Sequence, residues 1–189
     1  MGEQLVGSEY VKMTPAAEKT IWSASVNKKQ FELLINSNAV LLDVLRDQVG
    51  TLGVKRGCDL GTCGCCTVMI DGEPRLSCLS LAGQVSGSRI TTVEGLAEGA
   101  HLAPIQACFA KYGGSQCGFC TPGFLISSQA LLEENPSPTD QQIAEAIEGN
   151  LCRCTGYQQI IESIRSSKNT SWRERCATTS VITSSRPTS

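Results

Sequence analysis

Apolar residues fall on alternate positions twice early in the chain. Trp22, Ala24 and Val26 alternate with Ser23 and Ser25, and Phe31, Leu33 and Ile35 alternate after Asn27-Lys28-Lys29. A period of two predicts two half-buried strands joined by a hairpin turn. Leu41, Val44, Leu45 and Val49 then fall at helical spacing, and Gly50 ends that segment. Val68 and Ile70 predict a strand entering the turn Asp71-Gly72, with a return strand around Arg75–Cys78. Arg89–Val93 reads as one more short strand.

The period changes in the second half. Residues 103–112 read as a helix. Phe124–Glu134 reads as another, stopped by Asn135-Pro136-Ser137-Pro138. Thr139 to Gln142 has the form of a capping box, and Ile143, Ala146, Ile147 and Leu151 line one face behind it. Ile160, Ile161 and Ile164 line a last helix. The expected organisation is a polar flexible extension over 1–19, a strand-rich domain over 20–95 and a helical domain over 96–168. A Ser/Thr-rich disordered tail over 169–189 completes it.

Charge and composition narrow the chemistry. Sixteen basic against 18 acidic residues leave a net charge of −2, so nothing neutralises phosphates and nucleic acid is not an expected partner. Charged residues make up 18%, below the usual level of about 25%, which suits a chain partly covered by partners. The one histidine, His101, excludes Cys₂His₂ and His₃ zinc sites, a Rieske centre and Cys-x-x-Cys-His haem attachment. No apolar run is long enough for a membrane span or a signal-peptide core, so a cytoplasmic setting with reduced thiols is expected. Eleven cysteines, an odd number, also speak against a closed disulfide framework and favour metal.

The cysteines form two groups. Cys58-x₄-Cys63-x₂-Cys66, with Cys78 further on, has the plant-type [2Fe–2S] spacing. Gly57, Gly61 and Gly64 suit a tight loop whose N–H groups approach the sulfurs. Structural zinc is the alternative, though it more often shows paired knuckles. The second group is Cys117-Gly-Phe-Cys120 with Cys152-Arg-Cys154. Thr121, followed by Pro122, and Thr155, with Gln158, read as the N-caps of two helices. Two helix starts aimed at four thiolates would favour an anionic metal centre. Zinc, or a thioredoxin-like pair at Cys117 and Cys120, remains open at this second group. Cys65 and Cys108 read as small buried residues, and Cys176 lies in the tail.

Three stretches taken together carry a family resemblance: Gly57 to Thr67 (GCDLGTCGCCT), Gln116 to Gly123 (QCGFCTPG) and Gly149 to Tyr157 (GNLCRCTGY). They resemble the iron–sulfur small subunit of the molybdenum hydroxylases, the xanthine dehydrogenase, aldehyde oxidase and carbon monoxide dehydrogenase family. The likeness spans roughly residues 20–168, and Asn135 to Pro138 resembles the family's linker. Cys65 departs from it, standing where the family usually has Ala.

The resemblance implies an α+β fold, with a β-grasp ferredoxin-like domain followed by a four-helix-bundle domain. Each would bind one [2Fe–2S] cluster. It implies Cys58, Cys63, Cys66 and Cys78 as ligands of the first, and Cys117, Cys120, Cys152 and Cys154 as ligands of the second. Gln116 and Cys154 match positions that approach a molybdopterin on a large subunit, and Thr121-Pro-Gly123 matches branches that use FAD on a medium subunit. The implied role is a single-electron relay from the molybdopterin centre, through the second cluster and then the first, to the flavin. Arg153, between two ligands, reads as a tuning or interface residue or as a solvated arginine. A free-standing ferredoxin and a zinc-stabilised interaction module are the other readings of the residues. The relay reading leaves the substrate open among purines, aldehydes, N-heterocycles, carbon monoxide and hydroxybenzoyl thioesters.

Overall fold

The computed structural model describes residues 18–167. The expected flexible extension, except for Glu18 and Lys19, the Ser/Thr-rich tail and Cys176 therefore lie outside the described residues.

Five strands, β1 (Lys19–Val26), β2 (Lys29–Asn36), β3 (Thr67–Ile70), β4 (Glu73–Leu76) and β5 (Arg89–Thr91), form one mixed sheet in the order β2-β1-β5-β3-β4. β1 runs parallel to β5, and the other pairings are antiparallel. Both hairpins turn on two residues with positive φ, Asn27 and Lys28 in one and Asp71 and Gly72 in the other. That geometry matches the right-handed twist of the flanking strands. Lys29 is thus the first residue of β2, not part of the turn. The return strand sits earlier than expected, because β4 ends at Leu76, and the last strand starts at Arg89 as read but stops at Thr91. Ser77 leaves the ladder to hydrogen-bond the carbonyl of Cys66, and residues 93–96 form a single 3₁₀ turn.

The predicted helix after β2 is α1 (Leu41–Asp43) running directly into a π-helical stretch, Val44–Val49. Gly50 ends it in the left-handed conformation, while the Thr51 N–H and hydroxyl both reach the Leu45 carbonyl at 2.8 Å. Its apolar side closes one core with the strands: Trp22, Val26, Ile35, Leu41, Leu45, Val68 and Ile90 are all buried.

Four further helices, α2 (Pro104–Tyr112), α3 (Thr121–Glu134), α4 (Asp140–Ala146) and α5 (Gln158–Ser167), pack on one another. They enclose a second core of Ile105, Phe109, Phe124, Ile143, Ile147, Ile160 and Ile164. Cys108 lies fully buried in α2, as its helical placement suggested. The capping box at Thr139 and Gln142 forms as read, with both reciprocal bonds present. Leu151 does not extend the α4 stripe, because the helix stops at Ala146 and Leu151 is exposed.

The two halves share packing as well as chain. All four β3 residues are buried, although a strand facing one core buries only alternate positions. Val68 and Ile70 face the strand core, and α3 packs against β3 from the second half. Asn27, at the first hairpin, also clamps the connecting segment: its side chain both donates to Thr92 Oγ1 and accepts from the Thr92 N–H, each at 2.9 Å.

Truncating the fully buried Leu45 to Ala is expected to cost about 2–5 kcal/mol of stability. Removing the exposed cap with Thr139→Ala is expected to cost about 1 kcal/mol. Denaturant unfolding of the two variants checks both magnitudes and their order.

Candidate metal centres

The first group is built by a loop strapped down at both ends. Arg46 donates to the carbonyls of Leu52, at 3.2 Å, and Val54, at 2.6 Å. Arg56 bridges Asp43 and Asp59. Cys66 lies immediately before β3, and its carbonyl accepts both the Ser77 N–H, at 3.3 Å, and the Ser77 hydroxyl, at 2.8 Å. Those bonds return Cys78 to the loop, where its thiol meets that of Cys66. Cys58 likewise meets Cys63. The loop glycines serve two needs: Gly61 and Gly64 take positive φ, whereas Gly57 supplies room. A Cβ on Gly57 would stand 2.8 Å from Cys63 Sγ.

The second group is assembled from two distant segments. Cys117 and Cys120 come from the turn entering α3, and Cys152 and Cys154 from the loop before α5. They pair across the segments, Cys117 Sγ with Cys154 Sγ at 3.6 Å and Cys120 with Cys152. Cys120 itself occupies the N-cap of α3, so Thr121 is the first helical residue and its hydroxyl turns to Ser115 Oγ at 2.9 Å. Thr155 is not a helix cap either. α5 starts at Gln158, and the Thr155 hydroxyl instead accepts the Tyr157 N–H at 3.2 Å and lies 3.2 Å from Cys152 Sγ. One helix N-terminus, not two, therefore begins at a ligand-spaced cysteine. Hydroxyl and N–H donors from Thr155 serve the other segment.

The electrostatics of the sulfurs divide into supported and crowded positions. At Cys58 the Leu60 N–H, reinforced by the hydroxyl and N–H of Thr62, holds the thiol down at about 6. At Cys152 desolvation opposes ionisation, yet the Thr155 hydroxyl and N–H still hold it below its ordinary value. Burial, then the adjoining Cys66, pushes Cys78 up to about 12; burial, then Cys152, does the same to Cys120. The Cys117 hydrogen bond and charge raise Cys154. Thiols crowded in this way ionise together only beside a compensating cation, which iron would provide. Sulfur pairs, N–H donors aimed at them and a loop with no space for a Cβ fit a cluster bound through thiolates. A [2Fe–2S] cluster spreads its four sulfurs over two irons.

Comparison with known proteins agrees with this geometry. A 2Fe-2S iron-sulfur cluster binding domain matches residues 10–109, and a [2Fe-2S] binding domain matches residues 92–165. The nicotine 6-hydroxylase small subunit of Paenarthrobacter nicotinovorans is 48% identical over 139 residues, 74% of this chain and 84% of that protein. The nicotinate dehydrogenase small FeS subunit of Eubacterium barkeri is 44% identical over 153 residues, covering 81% and 94%.

The chain belongs to the iron–sulfur small-subunit family of the molybdenum hydroxylases.

The fold of this small subunit is also that of a solved relative. Quinoline 2-oxidoreductase from Pseudomonas putida 86 superposes with a TM-score of 0.78 at 42% identity, over 85% of this chain and 98% of that one. The subunit is an electron-transfer component of an oxidoreductase complex and carries two [2Fe–2S] sites on an α+β frame. Among its described residues no helix is long and apolar enough to cross a membrane.

All eight predicted ligand cysteines fall into the two expected groups. Gln116, Cys117, Arg153 and Cys154 are exposed beside the second, and Cys65 is buried against the first loop. His101 is exposed and belongs to neither group. Sequence reasoning passed over Asn150 and Tyr157. The Tyr157 hydroxyl donates to the Asn150 carbonyl and accepts the Cys152 N–H, both at 3.1 Å, which staples the second ligand loop. The polar Asn150 beside a ligand pair was the available signal, but its burial is a tertiary fact.

Gly57→Ala is expected to expel the first cluster and spare the second, halving the iron of a protein with two two-iron sites. Iron quantification on the purified complex checks this.

Proposed function

We propose that Cys58, Cys63, Cys66 and Cys78 hold one [2Fe–2S] cluster and Cys117, Cys120, Cys152 and Cys154 the other. The observation that carries this is the cross-pairing of thiols from separate segments, Cys117 with Cys154 and Cys120 with Cys152, matched by Cys58 with Cys63 and Cys66 with Cys78. When bound, the clusters supply one-electron redox chemistry. The chain's own contribution is to position the sulfurs, aim N–H and hydroxyl donors at them and set their burial.

The finer fold follows the same reading. Residues 20–95, with a helix on a five-stranded mixed sheet, form a β-grasp ferredoxin-like domain. Residues 96–168, with α2 to α5, form a four-helix-bundle domain. The exposed Gln116 and Cys154 face a molybdopterin on a large subunit, which places the second cluster first in the relay. The Cys58 loop faces a medium FAD subunit, and the complex works in the cytoplasm. Support for the orientation comes from exposure: Cys117 and Cys154 reach the surface in the second group, with the apolar Phe119 and Leu151 open around them. The nicotine, nicotinate and quinoline of the relatives' names share a pyridine ring, so a nitrogen heteroaromatic is the substrate class proposed for the complex.

The reduced complex is expected to show two distinct S = ½ EPR signals and four irons per small subunit, from two two-iron sites. Cys78→Ser is expected to remove one signal and Cys152→Ser the other. A colourless, EPR-silent protein containing zinc would overturn this reading.

A further inference from the structure

The two ligand loops touch, and a single buried side chain sits at the contact. Asn150 is 3% exposed. Its Nδ2 donates to the Gly64 carbonyl at 3.0 Å, and its Oδ1 accepts the Ser127 hydroxyl of α3 at 2.8 Å. The next N–H, of Leu151, donates to the carbonyl of Cys63 at 2.9 Å. Cys63 is a ligand-spaced residue of the first loop, and Leu151 directly precedes Cys152 of the second. A hydrogen bond thus joins the main chain of one ligand to the neighbour of the other.

Both sides of this contact are pared down to admit the amide. A Cβ on Gly64 would overlap the Gly149 carbonyl and stand 2.5 Å from Asn150 Nδ2. A Cβ on Gly123 would overlap the Gly64 carbonyl and stand 2.9 Å from that same nitrogen. Apolar packing between α3 and β3 resists separation of the halves but tolerates sliding, because dispersion has little direction. A buried amide with both ends satisfied does not tolerate sliding, since any shift leaves a desolvated polar atom unpaired.

We propose that Asn150 is a positioning residue that fixes the register of the two ligand loops, holding the Leu151 N–H on the Cys63 carbonyl and so setting the separation of the two metal centres. The magnetic part of its test rests on the two-cluster reading; the exchange part does not.

The test uses the intact complex with Asn150→Asp, which replaces the donor by a carboxylate facing the Gly64 carbonyl, and the milder Ser127→Ala, which removes only the partner of Oδ1. Amide hydrogen exchange at Leu151 and the magnetic interaction between the two reduced centres are measured beside iron content. Asn150→Asp is expected to speed Leu151 exchange at least about tenfold, the effect of one lost buried hydrogen bond, and to weaken the magnetic interaction with iron retained. Ser127→Ala is expected to give a smaller change in the same direction. Unchanged Leu151 exchange in both variants overturns the proposal. So does faster exchange in Asn150→Asp that comes only with loss of iron while Ser127→Ala changes nothing, which would make Asn150 merely structural. Wild-type complex without two reduced centres would sink the two-cluster reading instead, and the exchange result would then stand alone.

Discussion

Burial and crowding of the sulfurs together form the constraint from which the rest of the structure follows. Burial and a neighbouring thiol push Cys78 and Cys120 up to about 12, and Cys117 raises Cys154. Groups that resist ionisation together stay in place only if the chain around them is rigid and supplies donors. The π-helical turn, the arginine straps on residues 52–59 and the double bond from Ser77 to Cys66 provide that rigidity at the first loop. The N-cap at Cys120 and the Thr155 hydroxyl provide it at the second.

The same constraint explains why two small cores share one body. Neither loop is covered by its own half alone. α3 lies on β3, and the Asn150 amide seals the space between the Cys63 and Cys152 loops. Tyr157, held at φ 70 against the usual steric preference, keeps the second loop closed from its far side. Strain of this kind persists where surrounding contacts over-determine it: its hydroxyl makes two bonds and its ring packs edge-on to Phe124 at 5.9 Å.

Much of this was legible along the chain because it rests on local rules. Period-two runs found β1 and β2, the proline pair ended α3 at Glu134, and the box at Thr139 capped α4. Cysteine spacing separated the ligand-spaced thiols from Cys65 and Cys108, since loop length and thiolate reach are properties of a short segment. The errors arose where one local rule met a competing neighbour or the surface. Thr155 looked like a cap but serves Cys152, Thr121 gives the N-cap to Cys120, and Leu151 looked like core but lies on the surface.

The sequence by itself determined the type of chemistry, the two cysteine groups and the order of strands and helices, because residue types, short spacings and hydrophobic periods are written along the chain. Only the tertiary structure decided which thiols pair across segments, why Gly57 must lack a side chain, and that Asn150 joins the two loops. Residues 64 and 150 meet because two separately patterned cores dock, and the direction of a buried amide depends on what surrounds it after docking. No periodicity or spacing in the chain encodes that surrounding.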